Sequence, residues 1–399
     1  METLNRKNIY KLPFSDVDNQ GAWIEITDQC NFSCYGCYRH KLYGHKSLSE
    51  ITADIDQCIS GTNCDVIVIA GGEPLLHPQI HDIVNYIKRK GRRSLLLTNG
   101  SIIDKTMLGE LEKSGLSKIH FHVDQHQQRK GWETANEEEL NALRQDYADL
   151  LFNNSKILCG FNITLSPENE KYVPSIIDWS QKNIKKVQHV SLIALRGIPF
   201  ETDYQYKAGA TLLNFQDIPN LFTDLSSISL QAENIFQDIQ TNFPKIHPSA
   251  YINGKHDPKI YKYIISTVVG SEKDIYGSIG SKTIELTQFW YHFFEGHYMS
   301  FLPKRTAGLG IFILSIFDEE IRKAFIGFLK SLLKAPLKLF HKIYLQTIAV
   351  QQPMEFIDGK KIKCDNCINP MPYKGQLINP CQLDEYRLFG NEIELIKMN

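Results

Sequence analysis

Of the nine cysteines in this 399-residue chain, six fall into two short groups. Cys30, Cys34 and Cys37 stand in the run CNFSCYGC, with three residues between the first pair and two between the second. Three thiolates this close in sequence can grip three corners of a cubane iron–sulfur cluster, which leaves the fourth iron without a protein ligand. A cluster that only carries electrons closes all four corners, so an open iron is a place for a small molecule to bind. The second group, Cys364, Cys367 and Cys381, spaces its thiols by two and then thirteen residues. It also offers three ligands, for a second cluster with an open or non-cysteine fourth site. Zinc is the competing occupant of both groups, as a knuckle in the first and as a ribbon lacking one ligand in the second. Cys159 lies in an apolar run and reads, with Cys58 and Cys64, as a small buried hydrophobe rather than a fourth thiolate.

Further polar residues gather where apolar runs end. Gly71, Gly72, Glu73 and Pro74 follow the run 66–70; paired glycines let a backbone come close to a ligand, and Pro74 fixes the turn. Thr98, Asn99 and Gly100 end the run 95–98, as a ligand contact or as a plain turn into a helix. In the run 158–165, Asn162 and Thr164 alternate with Phe161 and Ile163, so both polar groups point to one face. Residues 118–124 read KIHFHVD, which puts His120, His122 and Asp124 on one face and Phe121 and Val123 on the other. A polar face inside a protein is costly unless it touches ligand, so this stripe is expected to line a substrate cavity, with His122 or Asp124 as acid or base. A metal held by His120, His122 and His126 is a weaker option, because no fixed spacing supports it. Arg196, just past the run 190–195, either pairs with a ligand carboxylate or makes a surface salt bridge.

These residues are positioned by an alternation of strand, loop and helix between residues 20 and 200. Strands are expected over 23–27, 66–70, 95–98, 119–123, 158–165 and 190–195, all rich in Ile, Val, Leu or Phe and bounded by Gly, Asn or Pro. Ser47 and Glu50 form a capping box that opens one helix, and Gly91 and Gly115 stop two others. Strands alternating with helices imply right-handed crossovers and a parallel sheet. The fold class is α/β, a partial (β/α)6 barrel, with the chemistry on the loops that leave the strands.

Cys30, Cys34 and Cys37 after a first strand, followed by Gly71-Gly72-Glu73-Pro74 after a second, resemble the radical S-adenosylmethionine (radical SAM) enzymes. One departure is visible: the family usually carries an aromatic residue just before the third cysteine, where this chain has Gly36, with Tyr35 one place earlier. The resemblance implies a six-unit barrel open on one side, with a 4Fe–4S cluster on Cys30, Cys34 and Cys37 that binds S-adenosylmethionine. It implies reductive cleavage of that molecule to a 5′-deoxyadenosyl radical, which takes a hydrogen atom from the substrate. By the same resemblance, Gly71, Gly72, Glu73 and Pro74 hold the methionyl amino group, Thr98 and Asn99 contact the ligand, and Asn162 and Thr164 face its ribose. Arg196 falls where relatives lay the adenine, and can reach the carboxylate. The tail cysteines are similar to the auxiliary-cluster tails called Twitch and SPASM, and to the GTP cyclase of molybdopterin biosynthesis. The chain ends in Glu392 to Asn399 without that cyclase's glycine-rich tail, so the same activity is not expected. A reductant such as flavodoxin or ferredoxin is the implied partner.

Composition narrows the rest. The chain is 42% hydrophobic and 22% charged with a net charge of -1, which suits a folded protein and gives no electrostatic case for nucleic acid. Clustered cysteines fit metal binding in a reducing cytosol better than a disulfide framework. The N-terminus has no apolar signal segment, and no run is long enough to span a membrane, so a cytoplasmic protein is expected. The division is a barrel core over 1–200, a helical and loop-rich covering region over 201–300, basic amphipathic helices over 301–355 and a cysteine-rich tail over 356–399. Lys330, Lys334, Lys338 and Lys342 recur among Phe, Leu and Ile, although Pro336 interrupts their stripe. Residues 309–350 therefore form either a core-packed helical pair or a peripheral membrane contact. Substrates of three classes stay open: a small polar metabolite, a lipid or isoprenoid, and a ribosomal peptide. The contrasting reading is an iron–sulfur redox sensor or assembly factor on a barrel scaffold, which would have no need of Gly71–Pro74.

Overall fold

The computed structural model describes residues 4–37, 39, 44–224, 228 and 230–398. A short strand β1 (Tyr10–Lys11) precedes the alternating unit: β2 (Gly21–Thr27), α1 (Leu48–Thr62), β3 (Val66–Gly71), α2 (Ile80–Arg89), β4 (Arg93–Thr98), α3 (Lys105–Ser114), β5 (Lys118–His122), α4 (Leu140–Asn154), β6 (Leu158–Leu165), α5 (Val173–Lys182) and β7 (His189–Ala194). Strands β2 to β7 pair in sequence order and all in parallel. They are buried on both faces, as parallel strands under helices must be, and so read as continuous apolar runs. The helices form for local reasons. Ser47 Oγ accepts from Glu50 N while the Glu50 carboxylate accepts from Ser47 N at 2.8 Å, closing the capping box of α1. In α2, Ile80, Ile83, Val84 and Ile87 form the buried stripe. Gly115, at φ +103°, ends α3 in a left-handed conformation.

The region 201–300 holds α6 (Ala232–Asn242) and α7 (Ser281–Glu295), and it also adds three strands, Ala250–Asn253, Tyr261–Gly270 and Ile275–Ile279, to the main sheet. The run 261–270, YKYIISTVVG, is β-branched enough to announce a strand, but it lies outside the strand–helix alternation that organises the first half. The basic helical reading of 301–355 needs a similar correction. It fits α8 (Glu319–Lys334), which stops before Pro336, whereas Tyr344–Gln351 is a strand that pairs in parallel with β7. That strand pairs antiparallel with Tyr261–Gly270, which pairs with Ala250–Asn253, which finally meets β1. The sheet of eleven strands therefore ends at β1 and β2 without closing.

The cysteine tail fills the space between those ends. On one side Gly254 bridges to Cys364, and Asp365 N donates to Asn253 O at 2.8 Å. On the other, Trp23 N of β2 donates to Pro370 O at 2.9 Å, and Asn19 Nδ2 donates to Cys367 O at 2.7 Å. The last helix, α9 (Leu383–Phe389), anchors the tail through charge. Arg196 beyond β7 donates to Glu385 Oε1 at 2.8 Å, and Lys361 meets the other oxygen of the same carboxylate at 2.7 Å. Arg387 pairs with Asp28 at 2.9 Å. At the opposite end, residues 297–306 run under the strand starts. Ser300 N donates to Asp65 at 2.8 Å, Arg93 to Phe301 O at 2.7 Å and Arg305 to Ile157 O at 2.9 Å. The barrel thus has a floor.

Glu385 is fully buried, so removing one of its cations leaves charge that the interior does not solvate. Arg196→Met is expected to lower the unfolding free energy by about 3 kcal/mol, read from urea titrations. A loss below about 0.5 kcal/mol, the level of an exposed pair, would show that this anchor does not hold the tail.

Candidate active site

The loops that leave the C-terminal ends of β2, β3 and β4 meet at the top of the barrel. Gly72 N donates to Thr27 O at 2.8 Å and Glu73 N to Gln29 O at 2.7 Å, so the glycine pair is stitched to the backbone that leads into Cys30. A Cβ on Gly72 would stand 2.1 Å from Gln29 O and one on Gly71 2.2 Å from Thr27 O, so the close approach that needs glycine here is to this backbone. Glu73 is buried, and its carboxylate accepts from Thr98 Oγ1 at 2.7 Å, Asn99 N at 2.7 Å and Leu75 N at 3.0 Å. It locks the turn after β3 to the turn after β4, and neither its side chain nor Pro74 lines the cavity below, whereas Gly71, Gly72, Thr98 and Asn99 do. Asn99 Nδ2 donates to Asn31 Oδ1 at 2.8 Å, which ties the turn after β4 to the cysteine loop.

Within that loop, Cys34 and Cys37 flank a turn closed by Cys37 N donating to Cys34 O at 3.3 Å. Gly36 sits at φ +68°, and a Cβ there would meet the Leu195 side chain at 2.4 Å. Both facts explain why an aromatic residue is displaced to Tyr35, whose ring packs on His126 at 5.7 Å. Arg39 follows Cys37, pairs with buried Glu25 of β2 and donates to Pro380 O at 3.0 Å, next to Cys381. The two cysteine groups therefore face each other. All six thiols line one cavity of about 450 Å³ that runs from the top of the barrel down to the floor at Phe301.

The polar stripe lines this cavity as its spacing predicts. His122 Nε2 lies 2.6 Å from Asp124 Oδ2 and 3.1 Å from Thr164 Oγ1. Burial alone would raise the Asp124 carboxyl, but the His122 charge and hydrogen bonds from His122 and Thr164 N hold it well below the usual carboxylate range. Asp124 is thus a fixed anion that orients His122, whose side chain is 38% exposed into the cavity. That arrangement suits an imidazole that accepts and returns a proton. One layer down, His120 Nδ1 meets Asn162 Oδ1 at 2.9 Å and its ring packs on His189 at 4.7 Å. Asn162 and Thr164 are therefore occupied by the two histidines of the neighbouring strand. Arg196, read as a ligand contact or a surface pair, pairs with buried Glu385 through one guanidinium nitrogen and also lines the cavity, where its Nε has no partner. Among the described residues no group of three or more His, Cys, Asp or Glu stands at single-ion spacing, so His120, His122 and His126 do not converge. Cys58, Cys64 and Cys159 lie in the main core.

Sequence reasoning missed two arginines that position this site. Arg129 donates to His122 O at 2.6 Å and Asn99 O at 2.5 Å and lies 5.0 Å over the Phe32 ring of the cysteine loop. Arg144, fully buried, donates to Val123 O at 2.9 Å and pairs with Glu137. Neither falls in a motif. Their role arises only once the end of β5 presents carbonyls that no strand neighbour satisfies.

With this geometry in place the comparisons with known proteins can be read. The model of the radical SAM superfamily matches residues 24–179, from β2 into α5. The chain carries a radical SAM superfamily domain. Over 175 residues it is 27% identical to the Fe-coproporphyrin III synthase of Methanosarcina barkeri, a match covering 42% of this chain and 42% of that relative. It is 30% identical over 107 residues to the probable GTP 3′,8-cyclase of Methanocaldococcus jannaschii, covering 25% and 35% of the two chains. Among solved structures, native anSMEcpe with bound AdoMet and Cp18Cys peptide aligns at a TM-score of 0.40 and 16% identity, covering 57% of this chain and 61% of that one. The chain spans less than half the length of these curated relatives.

The cofactors of this family are a 4Fe–4S cluster and S-adenosylmethionine, and the residues present fit them. Burial, then Asp124, Cys37 and Cys30, push the Cys34 thiol up to about 12. Burial and then Cys381 push Cys364 to about 12, and burial, then Cys364 and Cys381, raise Cys367 well above the ordinary thiol range. Thiols so crowded are stable as thiolates only around a cationic centre. Each group is such a soft donor set, partly exposed toward the cavity.

Burial, then the Lys118 charge, holds His120 and His189 well below the ordinary histidine range. Both stay neutral in the fold, while the unfolded chain takes up their protons below about pH 6.5. Stability is therefore expected to fall as pH drops from 6.5 to 5, approaching about 1.4 kcal/mol per pH unit for each imidazole. His120→Asn should flatten the slope in urea titrations across that range; an unchanged slope would show that His120 is protonated in the fold.

Proposed function

We propose that the protein is a radical SAM enzyme whose first cluster binds S-adenosylmethionine and whose tail cysteines hold a second 4Fe–4S cluster in the same chamber. One observation carries the reading: the two thiol triplets, 334 residues apart at their first members, line one cavity together with the His122–Asp124 pair. When bound, the cluster and S-adenosylmethionine supply an electron and a 5′-deoxyadenosyl radical able to take hydrogen from an unactivated carbon. The chain's own residues do the rest. Cys30, Cys34 and Cys37 would hold the first cluster, and Cys364, Cys367 and Cys381 the second. The backbone at Gly71 and Gly72, beside Thr98 and Asn99, offers polar groups at the cavity wall for the amino end of the cofactor. The floor and the docked tail exclude water from the chamber, which protects a reactive species. His122, oriented by the buried Asp124 carboxylate, is placed to take a proton from substrate and return it. A reductant protein of the flavodoxin or ferredoxin kind would deliver the electron.

A lipid or isoprenoid is favoured among the substrate classes by a separate observation. On α7, Ile284, Thr287 and Gln288 line the cavity, while Phe289, Trp290, Phe293 and Phe294 are exposed. Ile311 lines the cavity, while Ile313, Ile316 and Phe317 are exposed. Both elements bordering the chamber thus carry bare apolar side chains, next to a segment, 301–342, that holds eight Lys or Arg against three Asp or Glu. An anionic bilayer surface complements both features. No described helix is long and apolar enough to cross a membrane, so such contact would be peripheral. Lys338 belongs to the fold, not to this surface, since it pairs with Asp274 at 2.7 Å.

Anaerobic reconstitution of the full chain is expected to yield about eight irons and, with S-adenosylmethionine and dithionite, 5′-deoxyadenosine. Cys30→Ala should lose about half the iron and all cleavage, and Cys364→Ala about half the iron. Retention of all iron in Cys364→Ala would remove the second cluster. The wild-type protein is expected to sediment with liposomes containing phosphatidylglycerol and not with phosphatidylcholine alone, and the double change Phe293→Ser, Phe294→Ser should release it. Equal sedimentation of wild type and variant would refute the membrane reading.

A further inference from the structure

The lowest layer of the cavity contains a charge without an opposite. Lys118, the first residue of β5, is 2% exposed and lines the chamber. No carboxylate pairs with it among the described residues; its ammonium lies 4.8 Å over the Phe301 ring of the floor. The charge that acts on it most is another cation, Arg93, whose own anion is Asp65. A buried ammonium without a paired carboxylate is costly, and burial followed by Arg93 brings it down to about 7, with the Cys159 thiol pulling the other way. Besides His126 Nε2 and Arg196 Nε, two further groups of the same chamber have open valences. His120 Nε2 and Thr283 Oγ1 are buried without a hydrogen-bond partner. Buried polar groups in folded proteins are satisfied, so each orphan on a cavity wall marks a place where something polar belongs. The wall is largely apolar from this layer upward, with Val68 and Leu95 in register with Lys118, and Leu97 and Ile265 higher.

We propose that Lys118, with His120 and Thr283, is a subsite for the anionic end of an elongated amphiphilic ligand, a carboxylate or a phosphate whose apolar body extends up the barrel. The inference rests on the reading of this cavity as the substrate chamber. Lys118 and His122 are four residues apart on one strand, about 13 Å at the usual rise. An anion held at the floor therefore leaves the body of such a ligand stretched along the apolar wall, with its far end beside His122 and the two thiol triplets. Lys118 supplies the charge and the Thr283 hydroxyl a directional donor, while neutral His120, whose Nδ1 donates to Asn162 Oδ1, presents an Nε2 that accepts, as from the hydroxyl of a singly protonated phosphate. The ligand's anion in turn gives Lys118 the partner that the fold withholds. The subsite would measure ligand length: a molecule too short to span the layers would present no carbon to the upper chamber.

The test uses binding to the full-length protein by calorimetry, without S-adenosylmethionine or reductant, so its outcome is independent of whether radical chemistry occurs. Decanoate, decyl phosphate and decanol are the probes. Decanoate or decyl phosphate is expected to bind at least about tenfold more tightly than decanol, and the better of the two identifies the anion. Lys118→Met should erase that preference while leaving decanol binding unchanged. Because the change removes an uncompensated buried cation, the variant is expected to be at least as stable as the wild type. If the variant fails to fold, the wild-type comparison of decanoate and decyl phosphate with decanol still decides. Equal binding of all three probes, no binding of any, or an anion preference that survives Lys118→Met would overturn the proposal.

Discussion

A parallel sheet that stops short of closure leaves two edges and an opening between them, and every other feature of this protein follows from how that opening is covered. Exposed edges invite pairing with other chains, and an open barrel mouth would flood the interior with water. Here the cover is the cysteine tail, which bonds to β2 through Trp23 and Pro370 and to the far side of the seam through Asp365 and Asn253. Backbone bonds at two edges would hold a tail loosely. The buried Glu385 carboxylate, shared between Arg196 of the core and Lys361 of the tail, makes the joint specific. A buried carboxylate tolerates few alternatives to having both cations in place.

That joint explains why two thiol triplets so distant in sequence look into one space. Had the tail docked elsewhere, the second triplet would be a separate metal site with its own surroundings. Docked in the seam, it becomes part of the chamber wall. Arg39 reinforces the arrangement by linking Glu25 beneath the first triplet to Pro380 beside the second. The same docking shields Cys364 and Cys367 so strongly that free thiolates would be costly, the condition under which cluster binding contributes to folding itself.

Inside the chamber the polar residues of β5 form a graded series. At the top, Asp124 is anionic and orients His122. In the middle, His120 and His189 are neutral because burial and the Lys118 charge both oppose their protonation. At the floor, Lys118 has no anion of its own. Strand geometry spaces these layers evenly, so electrostatic character changes along the barrel axis at intervals of two residues. A chamber with this profile distinguishes the two ends of whatever enters it.

Much of this was legible in the chain itself, because local chemistry carries it. Cysteine spacing singled out both thiol triplets that line the cavity, the alternation of apolar runs with capped helices predicted β2 to β7, and a period of two placed His120, His122 and Asp124 on the inner face. Those signals survive without tertiary information because each depends on residues within about twenty positions of one another. The strands 261–270 and 344–351 were obscured because they lie outside the repeating unit, and the second joins the sheet only by pairing with β7 from the other half of the chain. The sequence could not show that the Glu73 side chain braces two turns, or that Arg196 is half of a buried joint as well as part of the cavity wall. Lys118 passed as the polar start of a strand. Whether a charged side chain meets a counter-ion, a carbonyl or an empty cavity depends on segments that arrive from hundreds of residues away. For that reason the donor types were set by sequence, while their common chamber and its unpaired cation were decided only by the tertiary fold.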